Sequence, residues 1–387
     1  MNEKQSYTLA GLVKYFLKLG AIGFGGPVAL VGYMNRDLVE ERRWIMEEDY
    51  KEGLALAQLA PGPLAAQLAI YIGYVDYKLL GATLVGLAFV LPSFLMVVAL
   101  GIAYVQFGGL PWMQALFYGI GAAVIGIIAV SSYKLTKKSL GRDWLLWIIF
   151  GVLMVATFIY EKELLWLILL GGIAVWMSRT RPRLLNTTQS ILYSPVLLQV
   201  TGQLSADEKL VQTGWFFLKA GAFVFGSGLA IVPFLYGGVV KEYQWLSEQQ
   251  FLDAVAVAMI TPGPVVITVG FIGYLVAGLP GACVAALATF LPCYLFTILP
   301  APYFKKYGKH AAIKAFIDGV TAAATGAIAG AVLVLAKRQF TDITSVVIAL
   351  GTILILLNFK KISELLIIAL AAAAGLLIKF IPDLINV

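Results

Sequence analysis

The chain has 387 residues, of which 60% are hydrophobic and 13% are charged. Because soluble domains carry about 25% charged residues, this composition excludes a soluble protein and indicates a polytopic membrane protein whose surroundings are a lipid bilayer. The net charge of +7 sits in short basic clusters between apolar segments, which indicates loops at a cytoplasmic membrane surface, so no nucleic-acid partner is expected.

Apolar segments follow one another from the N-terminus, and a bilayer requires roughly 20 residues for each crossing helix. The second segment contains Pro61-Gly62-Pro63, where each proline removes a backbone donor and prevents a continuous helix. A polar stretch follows the sixth segment, and a similar series then begins. The six segments of the first half lie near residues 9–34, 54–73, 80–104, 112–133, 144–160 and 164–178.

The second half of the chain repeats the first. "FLKLGAIGFGGPVAL" begins at Phe16 and "FLKAGAFVFGSGLAI" at Phe217, a shift of 217 minus 16, or 201 residues. Farther along, Pro92 matches Pro292 at a shift of 200 residues, so the correspondence extends through the halves. The sequence predicts two homologous transmembrane repeats, at residues 1–178 and 213–387, joined by a polar cytoplasmic linker at residues 179–212.

Lysine and arginine counts favour inverted repeats. If the Pro-Gly-Pro segment enters the membrane and returns, each half crosses five times, and one face carries eighteen Lys and Arg residues against six. If the segment crosses, the counts become thirteen and eleven, and the cytoplasmic enrichment disappears. We therefore expect an all-α polytopic membrane protein with two homologous, inverted repeats of about five transmembrane helices each, plus broken or re-entrant segments.

Four breaks rich in Gly and Pro interrupt the apolar segments. Non-helical backbone at membrane depth must be buried in protein or line a watery cavity. Discontinuous helices at the interface of inverted repeats are typical of secondary transporters, and their N-termini face anionic groups. The alternative is that the breaks are packing kinks. The predicted substrate-binding residues are Gly25, Gly26, Pro61, Gly62, Pro63, Gly226, Ser227, Thr261, Pro262, Gly263 and Pro264.

Charged residues within the apolar segments are further candidates. Lys18 and Lys219 occupy the same "FLK-x-GA" frame of the two repeats, which indicates anion binding or snorkelling to the interface. Glu52 and Asp253 open the Pro-Gly-Pro segments, and Asp318 lies in an apolar run. These three carboxylates are candidates for proton coupling. The alternatives are helix caps for Glu52 and Asp253, and an i,i+4 pair with Lys314 for Asp318.

The motifs of enzymes and ATP-driven pumps are missing from the sequence. His310, in a basic loop, is the single histidine, and no P-loop, H-E-x-x-H or G-x-S-x-G motif occurs. Cys283 and Cys293 lack a metal-binding spacing. We therefore expect neither catalysis nor a cofactor or metal, and a carrier and a passive anion channel both stay open.

The repeated motifs resemble those of the chromate ion transporter family. "FLKLGAIGFGGPVAL", "LAQLAPGPLAAQLAIYIGY" and their counterparts in the second half carry this resemblance. It implies a multi-pass transporter of the inner membrane that exports chromate and confers chromate resistance, with sulfate as a related oxyanion. Uptake or exchange of sulfate or another inorganic anion is the alternative, and a homodimer is a candidate assembly. Ser227-Gly228 replaces the Gly-Pro of the first repeat, so the two cradles need not be equivalent.

Overall fold

The computed structural model describes residues 6–24, 26–107, 111–160, 165–180, 206–224, 231–304, 311–340, 342–359, 362 and 364–380. Within these ranges the chain forms helices and turns and contains no strand, which confirms the all-α class. Helices of 18 residues or more that are apolar enough to cross a membrane are Leu64–Phe107, Pro111–Lys137, Val265–Ile298 and Ala311–Lys337.

The two repeats have the same order of helices. In the first repeat these are α1 (Leu9–Ile22), α2 (Gly26–Met34, extended by a π-helix at Asn35–Glu41), α3 (Glu47–Leu59), α4 (Leu64–Phe107), α5 (Pro111–Leu140), α6 (Trp144–Tyr160) and α7 (Leu165–Thr180). In the second they are α8 (Ala206–Ala222), α9 (Ile231–Leu235, extended by a π-helix at Tyr236–Glu242), α10 (Glu248–Ile260), α11 (Thr268–Ile298, preceded by a 3-10 turn at Val265–Ile267), α12 (Ala311–Gln339), α13 (Ile343–Asn358) and α14 (Glu364–Gly375, extended by a π-helix at Leu376–Phe380).

The first apolar segment folds back on itself, although the sequence analysis expected it to cross the membrane once. The Tyr15 hydroxyl donates a hydrogen bond to Asp37 at 3.2 Å, which places the middle of α1 beside the π-helix after α2. The Tyr7 and Trp44 rings stack with centroids 5.3 Å apart, so both ends of the segment lie together. Gly23 and Phe24, which follow α1, therefore lie at the tip of a re-entrant hairpin.

The second apolar segment forms another hairpin, as the Lys and Arg counts predicted. A Cβ on Gly53 of α3 would collide with the Tyr71 ring of α4, so these two helices run side by side in opposite directions. Helix α4 then reverses at Lys78, whose φ of 51° and ψ of −138° are not helical. Pro61-Gly62-Pro63 thus forms the tip of this hairpin.

Helices from the two repeats pack in opposite directions. Thr83, early in the second part of α4, hydrogen-bonds the Tyr294 hydroxyl at 2.7 Å near the end of α11. Gly101, near the end of α4, packs on Tyr274, which precedes the reversal of α11 at Gly278. An antiparallel pair of equivalent helices requires a two-fold axis across the helices rather than along them. The repeats are therefore inverted.

Glycine allows the first helix of each repeat to approach the long helix closely. A Cβ on Gly20 would collide with the Phe89 carbonyl of α4, and a Cβ on Gly221 would collide with the Thr289 carbonyl of α11. Close packing of this kind drives helix association in a membrane, because lipid is as apolar as the protein interior. It holds each re-entrant hairpin against a crossing helix.

The outer helices of each repeat pack on the other repeat. Helix α12 packs on α6 and α7, and α5 packs on α13 and α14. At one end of the bundle, Arg179 binds both Asp143 and Asp318 at 2.6 Å. At the opposite end, Asp342 binds Lys379 at 3.2 Å. We call these ends the first face and the second face.

Among the described residues, four helices of each repeat run between the two faces. They are the second part of α4 with α5, α6 and α7, and the second part of α11 with α12, α13 and α14. The sequence predicts about five, and the difference arises because the first segment also returns. Helix α7 ends at the first face and α8 begins at the second. The described ends of the linker, which the sequence predicts to be cytoplasmic, therefore lie at opposite faces, and its residues 181–205 lie outside the described ranges.

Candidate anion-binding site

The tips of the hairpins meet at the interface between the repeats. The Gly62 amide donates a hydrogen bond to the Val224 carbonyl at 2.5 Å, and the Gly263 amide donates to the Gly23 carbonyl at 2.9 Å. Val224 and Gly23 are equivalent at a shift of 201 residues, 224 minus 23, as are Gly263 and Gly62. Each Pro-Gly-Pro tip therefore binds the end of the first helix of the other repeat.

These contacts change the expectation of free amides at the breaks. Both central glycine amides are used in contacts between the repeats, so neither can bind an anion in this conformation. Helix α4 forms its first helical hydrogen bond from the Gln67 amide to the Pro63 carbonyl at 3.0 Å. The amides of residues 64–66 lie before that bond and have no acceptor within their own helix. The positive end of the α4 dipole thus lies just after the tip.

A small cavity lies where the breaks of the two repeats meet. Its wall includes Gly23, Phe24 and Gly26 from the first repeat. Thr261, Gly263 and Val265 from the second repeat also line it, together with Glu364 and Leu365 at the start of α14. The cavity therefore adjoins the N-terminus of α2 and the 3-10 turn that leads into α11, both of which favour negative charge.

Gln67 stabilises the first Pro-Gly-Pro tip through a hydrogen bond to its backbone. Its side chain is completely buried, and Nε2 donates a hydrogen bond to the Pro61 carbonyl at 2.8 Å. Its Oε1 atom is buried without a hydrogen-bond partner among the described residues. The Pro61 carbonyl lies at the break, where no helical amide donates to it, and the Gln67 side chain supplies that hydrogen bond instead.

The two predicted lysines do not line the cavity. Lys18 is exposed on α1. Lys219 is partly exposed on α8, with its Nζ atom 5.8 Å from the centre of the Trp215 ring. The predicted residues Gly25, Gly226 and Ser227 lie outside the described ranges. The described members of the predicted set that line the cavity are Gly26, Thr261 and Gly263.

The predicted carboxylates lie in three different environments. Asp253 is 4% exposed and accepts hydrogen bonds from the Tyr104 hydroxyl at 2.6 Å and from Gln249 at 2.8 Å. Because Tyr104 belongs to the first repeat, this bond joins the repeats. Glu52 is hydrogen-bonded to Tyr71 within its own hairpin. Asp318 pairs with Arg179 of the first repeat instead of forming the expected helical pair with Lys314.

Glu364 is a cavity residue that the sequence analysis missed. It is the first residue of α14 and lines the cavity beside the breaks of both repeats. A carboxylate in the first turn of a helix normally serves as a dipole cap, so its position gave no signal of a site. The packing of α14 against α5 and α10 brings it to the repeat interface.

Comparison with known proteins agrees with the repeat structure. The family model described as Chromate transporter matches residues 10–176 and 211–376. The chain belongs to the chromate transporter family. Its two matches correspond to the two inverted repeats, and the helices described above make it a multi-pass plasma-membrane transporter.

Relatives in the chromate transporter family match nearly the whole chain. The "Chromate transport protein" of Cupriavidus metallidurans is 68% identical over 379 residues, covering 97% of this chain and 94% of the relative. The "Probable chromate transport protein" of Synechococcus elongatus is 60% identical over 384 residues, covering 97% of each chain. No solved structure matches this chain.

A shorter relative matches less than half of the chain. The "Uncharacterized transporter YwrA" of Bacillus subtilis is 30% identical over 173 residues, which are 43% of this chain and 95% of the relative. A chain of that length corresponds to one repeat.

Proposed function

We propose that this protein is a secondary transporter that exports chromate and confers chromate resistance, with sulfate as a related substrate. The observation that carries the proposal is the convergence of breaks from both repeats on one cavity at the repeat interface. Inverted repeats with discontinuous helices at such an interface are the construction of secondary transporters. The names of the two long relatives support chromate as the substrate.

Helix dipoles favour an anion in this cavity. Gly26 begins α2, and Val265 begins the turn into α11, so two N-terminal ends adjoin the cavity. Each helix N-terminus is equivalent to about half a positive charge. Chromate and sulfate are tetrahedral dianions of similar size, so the same cavity suits both.

Lys18 and Lys219 act at a distance in this proposal. Neither side chain is fully buried, and they lie at equivalent positions on α1 and α8, the first helices of the two repeats. A positive charge on the approach to a site raises the local concentration of anions. Among the predicted proton carriers, Asp253 is favoured over Glu52 because its hydrogen bond from Tyr104 joins the two repeats.

The first face is the cytoplasmic face in this proposal, because cytoplasmic loops are enriched in Lys and Arg. Basic residues that support this orientation are distributed unevenly among the described helix ends. The first face carries Arg36, Arg42, Arg43, Lys51, Lys78, Lys134, Lys137, Arg142 and Arg179, and the second carries Lys209, Lys241, Lys337 and Lys379.

Uptake of chromate into inverted membrane vesicles tests the proposed function. We expect uptake that saturates with chromate concentration and that sulfate inhibits, whereas vesicles without the protein should show neither. Flux that rises linearly with concentration would indicate a passive channel. Uptake confined to right-side-out vesicles would indicate import and contradict export.

A further inference from the structure

Glu364 places a carboxylate on the wall of the proposed oxyanion cavity. It is partly buried at the start of α14, and it lines the same cavity as Gly26 and Gly263 at two of the breaks. Two negative charges repel each other strongly where access to water is restricted. An ionised Glu364 carboxylate would therefore repel a dianion in this cavity, and protonation of the carboxylate removes that repulsion.

No basic side chain among the described lining residues neutralises Glu364. Lys134 on α5 acts on it electrostatically, but Lys134 is exposed and water screens its charge. Asp253 on α10 is hydrogen-bonded by Tyr104 and lies before the part of α10 that reaches the cavity. Beside α13, Asp342 pairs with Lys379 at the other end of α14. Among the described groups around Glu364, none neutralises it as directly as a proton would.

We propose that Glu364 takes up a proton when an oxyanion enters the cavity, so that the proton and the anion bind together. This inference rests on the proposed function. The proton comes from solution and forms an O–H bond on the carboxylate, which changes from a pure acceptor into a hydrogen-bond donor. The new donor faces the oxyanion, and each ligand raises the affinity of the protein for the other.

Proton uptake at Glu364 changes the charge that moves with each anion. A dianion accompanied by one proton carries a net charge of −1 instead of −2. The membrane potential then acts on one charge per anion, while the pH gradient acts on the proton. An exporter of this kind uses the potential and works against the pH gradient.

Calorimetric titration of the purified full-length protein with sulfate tests this inference. Sulfate stays a dianion throughout the working pH range, whereas chromate itself takes up a proton near neutral pH. Titrations in two buffers of different ionisation enthalpy report the number of protons taken up. We expect proton uptake to approach one per sulfate, and the affinity to fall about tenfold per pH unit above the range in which Glu364 is protonated, the slope for one linked proton.

Three variants separate the role of Glu364 from general effects. Glu364→Gln keeps a donor without a titratable group, so its sulfate affinity should not vary with pH and its proton uptake should disappear. Glu364→Asp should keep both effects, which excludes loss of folding as the cause. Glu47→Gln makes the same change in the first turn of α3, where Glu47 is exposed and paired with Lys51, and should behave like the parent.

The outcomes distinguish this inference from the proposed function. If Glu364→Gln keeps the pH dependence and the proton uptake of the parent, Glu364 is not the linked group, although the protein still binds oxyanions. If the parent binds neither sulfate nor chromate at any pH, the proposed function itself is wrong.

Discussion

Gly263 lies at the tip of the second Pro-Gly-Pro break, in a backbone conformation that favours glycine. Its φ is +97°, and a Cβ there would lie 1.9 Å from the Ser93 Oγ atom of the first repeat. Backbone strain at such a φ costs about 1–3 kcal/mol, and displacing Ser93 from a packed interface costs about 1–3 kcal/mol more. Gly263→Ala should therefore destabilise the protein by about 2–6 kcal/mol and displace the cavity wall.

Thermal unfolding and oxyanion calorimetry on the purified variants measure these effects. Gly263→Ala should lower both the Tm and the affinity for chromate. Adding Ser93→Ala removes the closest colliding atom and should recover about 1–3 kcal/mol, the steric part of the loss.

Gly351→Ala in α13 is the matched control, because a Cβ there would meet nothing within 4 Å. This variant should bind chromate like the parent and gain up to about 1 kcal/mol of helix propensity. A Gly263→Ala protein with the Tm and the affinity of the parent would refute the tight packing of the tip. A double variant no more stable than Gly263→Ala would refute the assigned collision with Ser93.

Three further predictions concern the breaks, the ion pairs and the orientation. Replacing Pro61-Gly62-Pro63 by three alanines should raise helix propensity by several kcal/mol and keep membrane insertion, but lower chromate affinity in calorimetry; affinity equal to that of the parent would make the break a packing kink. The hydrogen bond from Arg179 holds the pKa of Asp143 below its usual range. The ionised Asp143 therefore stabilises the folded protein fully above the unfolded pKa of about 3.9, and this contribution is lost as the pH falls through the lowered folded pKa. Arg179→Met should therefore lower the Tm at neutral pH by a difference that shrinks in acid, with Arg179→Lys intermediate, and a difference independent of pH would exclude Asp143 as the cause. Single cysteines at positions 42 and 137, after removal of Cys283 and Cys293, should be labelled from the cytoplasm and a cysteine at 241 from outside; labelling of 42 and 241 from one side would contradict the inverted repeats.

Much of the architecture could be predicted because its signals are local or periodic. Apolar composition identified the membrane protein, and the shift between Phe16 and Phe217 identified the two repeats. Proline chemistry located Pro61-Gly62-Pro63 as a break, and the Lys and Arg counts predicted that its segment returns. The first segment was harder, because a Gly-Gly-Pro break is compatible with a kinked crossing as well as a hairpin. The contact between Tyr15 and Asp37 shows the hairpin.

The candidate site was predictable in its backbone and much less so in its side chains. Gly26, Thr261 and Gly263 line the cavity because breaks at equivalent places in inverted repeats meet at the interface. Lys18 was expected at the site because a charge within an apolar run is costly, but its helix turns it to an exposed surface. The sequence position of Glu364 is typical of an ordinary helix cap, although the residue lines the same cavity.

The sequence by itself determined the membrane class, the duplication and the positions where helices must break, because composition, repetition and missing backbone donors are properties of the chain alone. The tertiary structure decided which groups meet across the breaks. The Gly62 amide binds the carbonyl of Val224 rather than an anion, and Arg179 binds Asp318 rather than leaving it to Lys314. Such pairings depend on how the hairpins pack against long helices of the other repeat, and residues about 140 to 240 positions apart in the chain leave no local pattern that reveals their contact.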